Sequence, residues 1–469
     1  MILNSARVFA GKYDIDVKEV KPGTDGIVGI KEVIQQLSKK PPKVVVKEPL
    51  YSIPQTFKFQ VPPPLKLRPY QEEVCNIVVS NSKIKSGVVV MPCGSGKTMV
   101  GCKICVIARQ QTLIVTTRQP QQWKNTLVHK FHVAESDVHI LGENSLSNSL
   151  QPIVITTYSM LCTQGFHTTL VLLRQNEVGL VILDEVHTSA AQQYMYHIEH
   201  NIPFRSCIGL TATPLREDDG FERISTVVGP VLHVVDKQTL ELQKYLANVT
   251  CFTYIVPISQ HLASIGGRVA DLNPYKMDAT ELTIRHLLEH KRKTLLFCDD
   301  IECLQVMHMF LTRNGLPISG PIHMKTSEKT RQEAYSSFTN NENGCVLALS
   351  RVGDDALDLP EASAILIVWN RWKSRRQIMQ RIGRVSRPGR PAIVIIILSN
   401  YEKELSVQNY RENYLKDQKY ALKTQMFEDS IYKDNFKLRT SCIRKRENAL
   451  LEAYENLKKT YGNTKRQKT

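Results

Sequence analysis

No stretch of the 469 residues approaches the roughly 20 consecutive apolar residues that span a bilayer, which argues against an integral membrane protein. The opening segment, MILNSARVFAGKYDIDVKEV, lacks the apolar core of a secretion signal. The 11 cysteines are scattered, and the lone CxxC at Cys102 and Cys105 has no second Cys or His pair at zinc-ribbon spacing behind it. His197 and His200 have HxxH spacing, but no third ligand is visible, so a surface helix is the simpler reading. Internal repeats are missing, and neither terminal zone holds the clustered acids and lysine of a nuclease metal centre. These absences predict a soluble intracellular protein with reduced thiols, not secreted. Acid is also in short supply, with 45 Asp and Glu against 61 Lys and Arg and a net charge of +16. That imbalance points to a polyanionic partner, although charge alone does not separate DNA, RNA and anionic lipid.

What the sequence does contain is globular, with 42% hydrophobic and 23% charged residues over a length suited to two or three domains. From about residue 65 to 400, short apolar runs alternate with amphipathic stretches. The runs are GVVVMP, TLIVTT, PIVITTY, GLVILDE, SCIGLTAT, TLLFCDD, CVLALS, AILIVW and AIVIIIL. Continuous runs of this kind suit parallel strands covered on both faces by crossover helices. Nine of them suggest two consecutive α/β domains. The expected division is an accessory region at 1–65, a first domain at 66–240 and a second at 241–400. The seam between them falls within about 235–285, where the strand rhythm lapses and Gly266-Gly267 interrupts. Residues 401–469 read as a basic helical extension, with 16 Lys and Arg against 10 Asp and Glu.

Two local patterns carry chemistry. After GVVV, the segment Met91-Pro92-Cys93-Gly94-Ser95-Gly96-Lys97-Thr98 leads into the helical stretch MVGCKICVIA. Phosphate binding needs small residues that let backbone N–H groups converge, a helix N-terminus, a Lys for the outer phosphates and a hydroxyl for Mg²⁺. Gly94, Gly96, Lys97 and Thr98 supply these in order, and Met91 stands where a leading glycine is usual. The second pattern, Val181-Ile182-Leu183-Asp184-Glu185-Val186-His187, is an apolar strand ending in paired acids. Asp184 can hold the Mg²⁺ shell with Thr98, and Glu185 can orient and deprotonate a water in line with a γ-phosphate. Both halves in the correct order predict an NTPase.

The order LRPYQ (67–71), GSGKT (94–98), TTRQPQQW (116–123), ITTYSM (155–160), DEVH (184–187), TAT (211–213), VGDDALDLPEA (352–362) and QRIGRVSR (380–387) resembles superfamily 2 helicases. Within them TATPLRED, VGP at 228–230 and SRRQ…QRIGR look like the XPB type, the TFIIH translocase family with its archaeal, bacterial and viral relatives. The resemblance implies two tandem RecA-like parallel-sheet motor domains that bind ATP and Mg²⁺ and move 3′ to 5′ on DNA. RNA is the alternative substrate, transcription or repair machinery the expected company, and an ATP-gated binding module without movement the rival reading.

The same resemblance assigns Arg68 and Gln71 to the adenine edge. It has Pro92, Cys93 and Ser95 lining the phosphate loop and His187 linking the nucleotide to Thr211 and Thr213. Gly353 and Asp358 couple nucleotide to strand, Gln380 faces the site, and Arg384 and Arg387 reach the γ-phosphate from the second domain. On a helix, Arg381, Arg384 and Arg387 would lie near one face. Nucleic-acid contacts are expected from Thr117, Gln119, Thr157, Tyr158, Ser350 and Arg351, and from the Arg216-Glu217-Asp218 triad. Hydroxyls at strand ends also cap helices, so that alternative stands beside each. A full thumb-like insertion does not fit in about 253–285, and residues 1–65 have room only for a truncated damage-recognition-like module.

Overall fold

The computed structural model describes residues 65–80, 83–117, 120–141, 151–163, 178–190, 192–212, 224–351, 362–369, 375–386 and 391–466. Two seven-stranded parallel sheets form its frame. The first is built from β1 (Gly87–Val90), β2 (Thr112–Thr116), β3 (Val138–Ile140), β4 (Ile153–Thr157), β5 (Val178–Asp184), β6 (Phe204–Thr211) and β7 (Val231–Val234), in the order β3-β4-β2-β5-β6-β1-β7. The second uses β8 (Val249–Val256), β9 (Lys293–Cys298), β10 (Ile318–Ile322), β11 (Cys345–Leu349), β12 (Ala364–Trp369), β13 (Ala392–Ser399) and β14 (Ala421–Met426), in the order β10-β11-β9-β12-β13-β8-β14.

The apolar runs form these strands because both sheet faces are covered. Along the central strands, alternate residues enter opposite cores: Val89, Ile114, Ile182 and Leu210 lie on one side, Val88, Val90, Leu113 and Val181 on the other. In-register pairing of β1 with β6 and of β2 with β5 places the carboxyl ends of four strands along one edge. The loops leaving that edge carry the phosphate motif and the acid pair, as in other open α/β sheets.

The structure adds strands that the pattern of runs did not reveal. β8 lies inside the expected seam at 235–285 and pairs with both β13 and β14. β14 therefore makes the zone after residue 400 more than a helical extension. It escapes a periodicity search because it is an edge strand with mostly exposed side chains. The final helix, Lys433–Arg466, packs along the helix Pro274–Glu289 through Phe436 and Ile443. There Arg439 and Arg446 bind the carboxylates of Asp278 and Glu281. Among the described residues no helix is long and apolar enough to cross a membrane.

Candidate functional site

Strand β1 continues one residue into Met91, whose N–H donates to Thr211 O at 2.8 Å, before the chain turns away. Gly94 and Gly96 then adopt φ of 81° and 86°, a left-handed backbone that side chains resist. Gly96 is also fixed by space, since a Cβ there would lie 2.5 Å from Gln71 Nε2. Ser95 folds the loop on itself, donating its hydroxyl to Pro92 O at 2.7 Å. Helix α1 (Lys97–Ala108) starts immediately after, and no side chain caps its N-terminus. Its first-turn N–H groups and positive dipole end are therefore directed at the loop, as phosphate binding requires. The thiols of Cys102 and Cys105 are buried on this helix, in keeping with structural rather than metal-binding cysteines.

The segment before β1 braces the loop from behind. Arg68 N–H donates to Gln71 Oε1 at 3.1 Å, Gln71 Nε2 donates to Ser95 O at 2.9 Å, and Tyr70 OH donates to the same oxygen at 2.6 Å. The Arg68 guanidinium lies over the Tyr245 ring and donates to Tyr245 O at 3.1 Å. Arg68 and Gln71 are thus placed beside the phosphate loop.

At the end of β5, Asp184 Oδ2 accepts hydrogen bonds from Thr116 Oγ1 at 3.1 Å and Trp123 Nε1 at 3.0 Å. Burial and then the neighbouring Glu185 raise the Asp184 carboxyl above its ordinary value, against the opposing pull of Lys97, Trp123 and Thr116. Glu185 takes a φ of 51°, strained for a residue with a side chain. From there its carboxylate meets Lys97 Nζ at 3.4 Å and His187 Nδ1 at 3.5 Å. Burial alone would depress the Lys97 ammonium, but Glu185, helped by Cys93 and Asp184, holds it above its usual value. His187 Nδ1 also reaches Thr211 Oγ1 at 3.0 Å, which realises the expected link to the end of β6.

Sequence reasoning missed Trp123 and Tyr158 as supports of this acid. Tyr158 OH donates to Asp184 O at 3.0 Å from a side chain only 2% exposed. Trp123→Phe removes a donor from a buried carboxylate, so we expect a loss of about 1–3 kcal/mol in urea-melt stability or an equivalent weakening of metal-dependent turnover.

The second lobe meets the loop directly. Helix α2 (Arg375–Gly383) ends at Gly383, where a Cβ would lie 2.6 Å from Cys93 Cβ. Ser386 O accepts from Ala247 N at 3.3 Å and lies 3.3 Å from where a Cβ on Gly94 would be. Arg384 stands between these contacts. Burial raises the Cys93 thiol, while the charges of Lys97 and Arg384 lower it in turn. Gln380 is half-buried on α2.

Several expectations are corrected. Arg381 does not share a face with Arg384, because α2 stops at Gly383. It is fully buried, with its guanidinium 2.6 Å from Asp299 and over the Phe297 ring. Arg411, also fully buried, is lowered to about 10 by burial and by Arg381, with Asp299 opposing. Asp299→Asn should leave the buried Arg381 guanidinium without the carboxylate it pairs with and cost about 3–5 kcal/mol, read as a lower urea midpoint. Tyr158 and Ser350 are buried and present no side chain to a nucleic-acid strand. Thr157 Oγ1 accepts Met160 N–H at 3.3 Å. Thr117 is half-buried and Arg351 exposed at their strand ends. Gln119, Thr213, Arg216, Glu217, Asp218, Gly353, Asp358 and Arg387 lie outside the described residues.

Residues 240–468 match the family model of the ERCC3/RAD25/XPB C-terminal helicase, and residues 64–216 match that of the type III restriction enzyme res subunit. The subunit named general transcription and DNA repair factor IIH helicase/translocase subunit XPB in Antonospora locustae is 31% identical over 77% of this chain and 55% of its own length. The subunit of that name in Enterocytozoon bieneusi is 30% identical over 79% and 65%, and that of Drosophila melanogaster 31% over 77% and 47%. The chain thus spans about half to two thirds of the relatives it matches. Among solved structures, Saccharomyces cerevisiae Dbp5 bound to RNA and ADP BeF3 superposes with a TM-score of 0.57 at 15% identity, covering 81% of this chain and 93% of Dbp5. The Pyrococcus furiosus Hef helicase domain gives 0.50 at 14%, covering 74% and 98%. These two likenesses establish the tandem RecA-like fold.

Proposed function

The chain belongs to the XPB type of superfamily 2 helicases, and we propose that it is an ATP-driven translocase on DNA that moves 3′ to 5′. The observation that carries this reading is the seating of Gly383 against Cys93 of the phosphate loop, with the charge of the adjoining Arg384 acting on the same thiol. Fuel bound by one lobe is then sensed by an arginine from the other. Closure around the triphosphate and release after hydrolysis change the separation of two surfaces that grip one strand.

The donor set fits a divalent magnesium ion. Thr98 and Asp184 offer oxygen ligands, and two carboxylates at 184 and 185 face the single ammonium of Lys97, leaving negative charge for a cation to offset. Bound there, Mg²⁺ would neutralise charge on the β- and γ-phosphates. The chain's own residues do the rest. Gln71 and Arg68 hold the base side of the loop, Lys97 leaves Glu185 for phosphate, and the freed Glu185 accepts a proton from the attacking water. His187 reports the state of Glu185 to Thr211.

Strand contacts are assigned to Thr117 and Arg351 with the Arg216-Glu217-Asp218 triad, and they should be phosphate contacts, since a motor that read bases would stall. ATP hydrolysis by the full chain, measured without nucleic acid and with duplex DNA, single-stranded DNA or RNA, tests the proposal. Stimulation by DNA supports it, whereas stimulation by RNA alone favours the RNA-helicase reading. ATP-dependent affinity with negligible turnover would make the chain a gated binding module.

A further inference from the structure

At the amino edge of the second sheet, just before β9, the end of the helix Pro274–Glu289 gathers His286, Glu289 and His290. One nitrogen or carboxylate oxygen from each lies within 4.8 Å of the other two, and no other such group of three occurs among the described residues. Spacing of three and four residues puts them on one side of the last turn.

Three further observations favour a ligand over chance proximity. First, His290 Nδ1 lies 2.9 Å from His286 O. A carbonyl only accepts, so Nδ1 carries the hydrogen and the Nε2 lone pair is left for a ligand. Metal-binding histidines fix their tautomer in this way. Second, the His286 and His290 rings already stand 4.5 Å apart, centroid to centroid. Third, the carbonyl end of a helix is negatively polarised and favours a cation.

We propose that His286, Glu289 and His290 form a site for a divalent transition-metal ion, with Zn²⁺ the best match to two imidazoles and a carboxylate. Its remaining position would be open to water. Tetrahedral ligands at Zn–N distances of about 2.0–2.1 Å stand about 3.3 Å apart. His286 Nδ1 and Glu289 Oε2 are already 3.7 Å apart. The exposed Glu289 can close the rest by side-chain rotation while His290 keeps its bond to His286 O.

The ion would be structural. The His286 ring packs edge-on against Tyr432, 5.7 Å between centroids, at the start of the final helix. It would thus fix the turn beside the helix pair held by Asp278, Glu281, Arg439 and Arg446.

Titration of the EDTA-stripped full chain with Zn²⁺, in excess Mg²⁺ to occupy the nucleotide site, tests this by calorimetry. One site is expected, with a rise in melting temperature on binding and with Co²⁺ giving the d–d absorption of a nitrogen-ligated low-coordinate centre. His286→Gln and His290→Gln should each weaken binding at least about tenfold and abolish the thermal shift. Both variants should melt like the wild type without metal and keep their ATP hydrolysis. A His197→Gln/His200→Gln variant should bind normally. Unchanged affinity in the His286 and His290 variants, or loss of the site in the His197/His200 variant, would overturn the assignment.

Discussion

Replacing Arg384 by alanine should lower nucleic-acid-stimulated ATP turnover by about 10³-fold, the low end of what an arginine reaching a γ-phosphate contributes. The geometry behind this is specific. Gly383 is packed so closely on Cys93 that no side chain fits between them, and Arg384 follows it at the mouth of the phosphate loop. The effect should fall on kcat, with ATP affinity changing far less, because the charge it neutralises develops during transfer. Arg384→Lys should recover only a small part, since an ammonium lacks the planar fork. A variant that turns over ATP at the wild-type rate would remove the second lobe from the reaction and with it the coupling proposed here.

Glu185→Gln should reduce turnover by at least about 100-fold while leaving ATP binding intact, the scale expected for losing a positioned general base. Its amide keeps the size of the side chain and the strained turn at φ 51°, so the fold should persist. Lys97 now pairs with Glu185 at 3.4 Å, and a phosphate must compete with that carboxylate. Removing the charge should therefore leave ATP affinity equal or tighter, measured by nucleotide titration beside a single-turnover assay. Weaker binding together with slower turnover would show that Glu185 chiefly builds the site.

The phosphate loop and the acid pair at the end of its strand were legible because their carriers are local. Gly94, Gly96, Lys97 and Thr98 must follow a strand and open a helix, and Asp184-Glu185 must end one; sequence order and hydrophobic runs record both. Supports were harder to read. Trp123 and Tyr158 reach Asp184 from 61 and 26 residues away, and the Asp299–Arg381 pair spans 82. Nothing in one-dimensional spacing distinguishes such residues from ordinary core or surface groups.

The arginine row shows where periodicity fails. Arg381, Arg384 and Arg387 have helical spacing, yet the helix stops at Gly383, Arg381 is committed to a buried pair with Asp299, and the charge of Arg384 acts on Cys93 of the loop. β14 escaped for a different reason, since an edge strand needs only one partner and can keep polar side chains in water. Composition, runs and motif order by themselves determined two parallel-sheet lobes, a phosphate cradle and an acid pair, because each is dictated within a few residues by backbone freedom, burial or charge. Tertiary structure alone decided which arginine is buried against Asp299, which aromatic steadies the acid and which strand closes the second sheet. Those outcomes depend on distant segments competing for the same buried space, and local sequence carries no measure of that competition.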